Sequence, residues 1–290
     1  MTDQTVLITG ANSGVGFAAA EVLAQRGARV LLLCRDRSRG EDARARLRTI
    51  ATGPAPRLYL ADLASQAEIR RVAEDIRDDH AHIDVLLNNA GGVFAKREET
   101  GDGIERTFAT NHLAPFLLTN LLLGEVLAAP RGRVVTVATE VYAKRIDFTN
   151  LQSERGHQFF KAYQRSKLCN VLFAFELARR LQGTTATSNA VSPGPSRTRF
   201  GDNLTGAAGL FTKAMKRMPM FGSPEKGAQT LVYAATAPEL GGASGRFFFK
   251  SKEYDTKPIT HDGELAVRLW RVSEQLCGLV PALDGGERGA

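Results

Sequence analysis

Cysteine is scarce in this 290-residue chain, with three residues, Cys34, Cys169 and Cys277, far apart in sequence. They are too few and too scattered for a disulfide framework or a paired C-x-x-C metal site, so they read as idle thiols in a reducing compartment, and no metal is expected. Long apolar runs are also missing. No stretch approaches the roughly 18 apolar residues of a bilayer-crossing helix, and no charged-then-apolar leader precedes the strand-like run that starts at Thr5. No membrane span and a cytoplasmic location are therefore expected. A basic block is absent as well. The net charge of +7 arises from Lys and Arg interspersed with acids, as in Arg35-Asp36-Arg37-Ser38-Arg39, which argues against a nucleic-acid-binding face. There is no internal repeat. With 43% hydrophobic and 24% charged residues the composition is that of an ordinary globular protein, which excludes a disordered or fibrous chain.

Short apolar runs bounded by glycine or turn residues alternate with longer segments of helical period. The runs are Thr5 to Thr9, Arg29 to Leu33, Arg57 to Leu60, Val85 to Asn88, Arg133 to Val137, Thr187 to Val191 and Gly245 to Phe249. The helical segments are Val15 to Arg26, Gly40 to Ile50, Ser65 to Asp79, Arg106 to Leu127, Gln158 to Leu181 and Pro224 to Ala237. Repeated βα units of these lengths predict an α/β fold, a Rossmann-like doubly wound sheet of about seven parallel strands with helices on both faces. One catalytic domain spans 1–284. Residues 198–223, interrupted by glycine and proline and carrying Phe200, Leu204, Leu210, Phe211 and Met215, read as a substrate lid. Leu265, Leu269, Val272 and Leu276 mark a C-terminal helical extension over 262–279, and 285–290 reads as a disordered tail.

The first strand runs into Gly10-Ala11-Asn12-Ser13-Gly14-Val15-Gly16 and then an apolar helix. Glycines at 10, 14 and 16 allow a tight turn and a close backbone approach to a pyrophosphate, and they aim the helix N-terminus at its charge. Strand, glycine turn and helix in this order point to a dinucleotide.

The pattern T-G-x-x-x-G-x-G, with Asn88-Asn89-Ala90-Gly91 after the fourth strand, resembles the short-chain dehydrogenase/reductase family. Asp62-Leu63, Asn111, Tyr163-Gln164-Arg165-Ser166-Lys167 and Pro193-Gly194 with Thr198 extend the likeness over nearly the whole chain. It is closest to retinol-dehydrogenase-like members, in Cys34-Arg35-Asp36, Leu151-Gln152-Ser153-Glu154, Ser166 to Phe173 and Glu225 to Thr230. The resemblance implies a nicotinamide cofactor bound by Gly10, Asn12, Ser13, Gly14, Val15, Gly16, Asp62, Leu63, Asn89, Ala90, Gly91, Tyr163, Lys167, Pro193, Gly194 and Thr198. Asp62 would contact the adenine. Asn111 would hold a helix irregularity and a water in a proton relay. It also places the acid of NAD users at Cys34, an uncharged position, while Arg35 can fork onto a 2′-phosphate and Arg39 can add to the field. NADP(H) is therefore expected. Counting from the glycine turn would make Asp36 an NAD-type acid instead, and a solvated Arg35 would serve neither cofactor, so NAD(H) stays open.

Tyr163 and Lys167 lie four residues apart in a helical segment, so ammonium and phenol share a face. Positive charge from Lys167 and an oxidised nicotinamide would favour the phenolate and bring the tyrosine toward its working range. By resemblance, Lys167 also binds the nicotinamide ribose. Tyr163 would then give or take the proton as hydride moves between cofactor and carbon. The family's catalytic serine falls at Thr139, which keeps a hydroxyl but adds a methyl. The implied substrate is a small-molecule carbonyl or alcohol, lipophilic or medium-sized. Two other readings fit the residues: a cofactor-retaining isomerase, cyclase or lyase, and a nucleotide-sensing interaction protein. The helices over 106–127 and 158–181 resemble those that build dimers in the family, so a homodimer or homotetramer is open, but their apolar faces could equally cover the chain's own sheet.

Overall fold

Runs such as Val6-Leu7-Ile8 and Val30-Leu31-Leu32-Leu33 are apolar at every residue because both faces of the strand are covered, as parallel sheets require. A computed structural model describes residues 1–196 and 222–279. Its strands are β1 (Thr5–Thr9), β2 (Arg29–Cys34), β3 (Arg57–Leu60), β4 (Val85–Asn88), β5 (Arg133–Val137), β6 (Thr187–Ser192), β7 (Phe247–Phe249) and β8 (Lys252–Glu253). They form one sheet in the order β3-β2-β1-β4-β5-β6-β7-β8. The first seven strands are parallel, as expected, and β8 adds a two-residue antiparallel edge to β7.

The helices are α1 (Gly14–Gln25), α2 (Arg37–Arg48), α3 (Gln66–Asp79), α4 (Arg106–Phe108), α5 (Ala114–Leu121), α6 (Leu123–Ala128), α7 (Phe159–Arg180), α8 (Pro224–Thr236) and α9 (Gly263–Leu276). Strand alternation sorts them onto two faces. Val6 and Ile8 of β1 pack in one cluster with Leu23, Leu47 and Leu231 of α1, α2 and α8. Leu7 packs in the other with Val72, Phe116, Leu172 and Leu269 of α3, α5, α7 and α9. The strand order reverses between β1 and β4, so the crevice at their C-terminal ends is the topological switch point where doubly wound sheets bind ligands.

Three local departures from the expected elements have physical causes. Helix α2 begins at Arg37 and not at Gly40, because the Asp36 carboxylate caps it by accepting from Arg39 N at 3.0 Å. Strand β7 begins at Phe247, two residues past Gly245, whose φ of +72° is outside the strand region. The helix expected over 106–127 is broken twice. A π-helical turn spans Ala109–Leu113, and Leu122, at φ −104° and ψ 11°, separates α5 from α6.

The apolar faces of α5 and α7 cover the sheet, and α9 lies over them. Trp270 meets Phe116 edge-on at 4.9 Å and stacks on Phe173 at 5.8 Å. His112, in the π turn, shares a hydrogen bond with Ser273 of α9 at 2.9 Å, and burial pulls its pKa down to about 4, so it is neutral. Among the described residues, no helix is long and apolar enough to cross a membrane.

Candidate active site

The glycine turn joins β1 to α1. Gly10 and Gly14 take φ values of +66° and +57°, and Ser13 enters the helix without a side-chain cap. Nor is there an acid in the first turn, so the N–H groups at the start of α1 are left for another acceptor. Asn12 and Val15 belong to the same turn, with Val15 buried.

The segment after β4 is latched to this turn. Thr9 Oγ1 accepts from Asn89 N at 3.0 Å and Ala90 N at 2.9 Å, and Asn89 Nδ2 donates to Thr9 O at 2.7 Å. The Asn89 amide, expected among the cofactor contacts, is thus engaged in holding the turn. Gly91 follows. A Cβ there would stand 3.2 Å from Asn111 Oδ1 and 3.5 Å from Lys167 Nζ, so this backbone lies against both side chains.

At the end of β2, Cys34 is buried and Arg35 is 58% exposed, 3.5 Å from Asp62 Oδ2. Asp62 Oδ1 accepts from Ala64 N at 3.0 Å, and Leu63 is half-buried. Asp36 is committed elsewhere. Besides capping α2 it takes Arg39 Nε at 2.9 Å, and these hydrogen bonds hold its pKa below the usual carboxylate range.

Helix α7 carries Tyr163 and Lys167 one turn apart, with the ammonium 5.8 Å from the phenol ring centre. Lys167 Nζ donates to Val137 O, the last carbonyl of β5, at 2.9 Å, and Asn170 Nδ2 donates to the same oxygen at 3.1 Å. Burial lowers the Lys167 pKa to about 8. The Tyr163 phenol is pushed the other way, well above its ordinary value, first by burial and then by the Glu140 carboxylate. The lowering expected from Lys167 is therefore not what governs Tyr163 in the protein alone. Desolvation outweighs it, and the ammonium is held at Val137 O.

Asn111 is fully buried in the π turn. Its Nδ2 donates to Gly92 O at 2.9 Å and to Ser166 Oγ at 3.0 Å, and its Oδ1 accepts from Gly92 N at 2.8 Å. Ser166 in turn donates to Tyr163 O at 2.7 Å, so Asn111 is tied to the tyrosine's own backbone. The helix irregularity implied at Asn111 is this π turn, a form frequent at functional positions. Fully buried Glu105 prepares it by accepting from Thr107 N at 2.8 Å and Phe108 N at 2.9 Å.

Thr139, just beyond β5, accepts from Val141 N at 3.2 Å and donates to Glu140 Oε2 at 3.4 Å. Gly194 follows Pro193 at the end of β6 and donates from its N to Ser192 Oγ at 3.1 Å. Val141 and Phe160 are 49% and 52% exposed, and Phe160 stacks on Tyr163 at 6.4 Å. Thr198 and residues 198–221 of the expected lid lie outside the described residues, as does the tail over 285–290. Gly222 is bridged to Ser196, and Ser223 caps α8.

Asn111, Tyr163, Lys167 and the loop ending at Gly91 thus come together at the C-terminal ends of β4 and β5, with Thr139 just past the end of β5, while Arg35 and Asp62 sit at the ends of β2 and β3. Ser166, Asn170, Glu105 and Glu140 also take part in this end of the sheet, and sequence reasoning gave them no role. Spacing offers a signal for Asn170, which shares a helix face with Lys167 at i+3. No comparable signal exists for Glu140.

A doubly wound sheet with this turn and this helix pair defines an α/β dehydrogenase of the nicotinamide type. A profile described as short chain dehydrogenase matches residues 4–208. Human retinol dehydrogenase 14 is 40% identical over 97% of this chain and 88% of its own length. Human retinol dehydrogenase 12 is 38% identical, over 95% and 87%. Among solved structures, an uncharacterised protein from Mycobacterium paratuberculosis superposes with a TM-score of 0.77 at 33% identity, covering 96% of this chain and 94% of that one. The NADP complex of RhlG from Pseudomonas aeruginosa superposes with a TM-score of 0.68 at 25% identity, over 86% and 94%. The chain belongs to the short-chain dehydrogenase/reductase family and is an alcohol/carbonyl oxidoreductase.

Proposed function

We propose that the chain interconverts a carbonyl and an alcohol on a lipophilic or medium-sized small molecule with NADP(H), and that Tyr163 gives or takes the proton. The observation that carries this reading is the placement of Tyr163 beside Lys167 and Asn111 at the switch-point end of the sheet. A phenol held protonated there can donate to a carbonyl oxygen as that carbon is reduced. Lys167, anchored on Val137 O, supplies the positive charge that stabilises the phenolate left behind. Thr139 offers a second donor to the same oxygen. Asn111 fixes the helix turn that carries Tyr163 through Ser166. The apolar rim of Val141 and Phe160 favours an uncharged, lipophilic substrate.

The residues present fit a dinucleotide. The uncapped start of α1 and the latched glycine turn suit the pyrophosphate of NADP(H), which supplies or accepts the hydride when bound. The choice of NADP(H) over NAD(H) is supported by three features at the end of β2. Cys34 bears no charge, Asp36 is occupied as a cap, and Arg35 is exposed with only a weak contact to Asp62. Arg35→Ala is expected to weaken NADPH by roughly tenfold or more, the scale of a lost charge-assisted hydrogen bond, and to leave NADH almost unchanged. Fluorescence titration with both cofactors tests this, and equal losses would remove Arg35 from the assignment. Thr139→Val should lower turnover about tenfold to a thousandfold, the range for a lost oxyanion donor, whereas Thr139→Ser should stay active. Wild-type turnover in the valine variant would remove the hydroxyl from the reaction.

A further inference from the structure

Glu140 places a carboxylate between the hydroxyls of Thr139 and Ser192. Its Oε2 accepts from Ser192 Oγ at 2.5 Å and from Thr139 Oγ1 at 3.4 Å. Each hydroxyl is itself held by a backbone donor, Gly194 N at 3.1 Å for Ser192 and Val141 N at 3.2 Å for Thr139. Two short hydrogen-bond chains therefore converge on one oxygen. The first begins at Gly194 N in the Pro193-Gly194 turn, and the second begins at Val141 N and passes through the hydroxyl assigned to the substrate oxygen. The β5–β6 ladder pairs residues as far as Val137 and Val191, and the Glu140 link lies just beyond it.

The two bonds are unequal. The Ser192 contact is in the short range of charge-assisted O–H···O bonds, while the Thr139 contact is longer than an ordinary hydroxyl bond. Ser192 is thus anchored, and the Thr139 proton can turn to a substrate oxygen without a large loss. We propose that Glu140 is a positioning residue for the reaction, gripping Ser192 firmly and Thr139 loosely so that the donor hydroxyl is set in register with the Pro193-Gly194 turn. The proposal rests on the roles of Thr139 and Tyr163 given above. Its charge has a second consequence, since the same carboxylate helps keep the proton on Tyr163. Among the described residues, Lys167 of α7 brings a positive charge to the same phenol, 5.8 Å from its ring centre, while Thr139 and Ser192, from the ends of β5 and β6, are neutral.

Three variants test the proposal in the full chain with NADPH and an apolar aldehyde. Glu140→Gln keeps size and an acceptor oxygen but removes the charge, Ser192→Ala removes the anchor and keeps the charge, and Tyr163→Phe monitors the underlying reading. Glu140→Gln should lower kcat by about tenfold, the low end of a misplaced catalytic donor, with NADPH affinity retained in a fluorescence titration. The alkaline limb of its kcat–pH profile should also move to lower pH, because Tyr163 loses its proton more readily. Ser192→Ala should lower kcat without moving that limb. A Glu140 that only supports the fold would change the melting temperature and leave the pH profile where it was, which would overturn the proposal. So would a Glu140→Gln variant with wild-type kcat. Full turnover in Tyr163→Phe would instead overturn the reading beneath it, so the two failures are distinguishable.

Discussion

Tyr163→Phe is expected to lower kcat for carbonyl reduction by about 10²- to 10⁴-fold, the range for loss of a positioned general acid, while NADPH binds as before. The ring remains, so its stacking on Phe160 and its place above Lys167 are kept. Lys167 keeps its bond to Val137 O, and Asn111 keeps its bond to Ser166, because neither uses the phenol oxygen. What is removed is the phenol hydroxyl and, with it, the transferable proton. An interaction used only in the transition state lowers kcat and kcat/KM together, so KM should change little. Stopped-flow oxidation of NADPH with cofactor titration in parallel measures both quantities, and wild-type turnover would take Tyr163 out of the mechanism.

The second large effect lies at Gly16. A Cβ there would stand 2.3 Å from Asn89 Nδ2 and 2.7 Å from Gly10 O. Gly10 O is backbone and cannot swing aside, and Asn89 Nδ2 is fixed by its bond to Thr9 O. Gly16→Ala must therefore displace the turn or unlatch Asn89. Overpacking of this kind costs roughly 1–3 kcal/mol. If that strain falls on the cofactor-binding conformation, NADPH affinity drops by about 5- to 150-fold. A lowered melting temperature should accompany it. Circular dichroism melting and NADPH titration check the pair, and unchanged affinity would mean that the turn tolerates a side chain and does not hold the dinucleotide closely.

Much of the fold is legible in the sequence because burial on both sides of a parallel sheet leaves continuous apolar runs, as in β1, β2 and β4. The order of strand, glycine turn and helix is equally direct. What stays hidden depends on contacts between distant residues. The π turn at Ala109–Leu113 alters the hydrogen-bond register of a segment whose composition still reads as helix, so periodicity cannot report it. The start of α2 was obscured because Asp36 can be read either as a ribose acid or as a cap, and its bonds to Arg39 decide for the cap. Two residues are too few for β8 to produce a pattern.

The site divides in the same way. Tyr163 and Lys167 are readable as i and i+4 on one helix. The sense in which Tyr163 is shifted is not, since it depends on burial and on Glu140, which comes from another element. Glu140 and Ser192 are 52 residues apart and meet only because β5 and β6 are neighbours in the sheet. The lock between His112 and Ser273 spans 161 residues and likewise has no local signature.

The most direct test of the central claim follows one hydride. The purified chain is mixed with NADPH carrying deuterium at the transferable position and with a panel of apolar aldehydes and ketones, and the products are read by mass spectrometry while cofactor absorbance is recorded. The expected product is an alcohol that carries one deuterium, formed in equal amount to the NADPH consumed and lost in Tyr163→Phe. Product that forms without net consumption of NADPH, and without deuterium, would contradict it and point to a cofactor-retaining isomerase, cyclase or lyase at the same site.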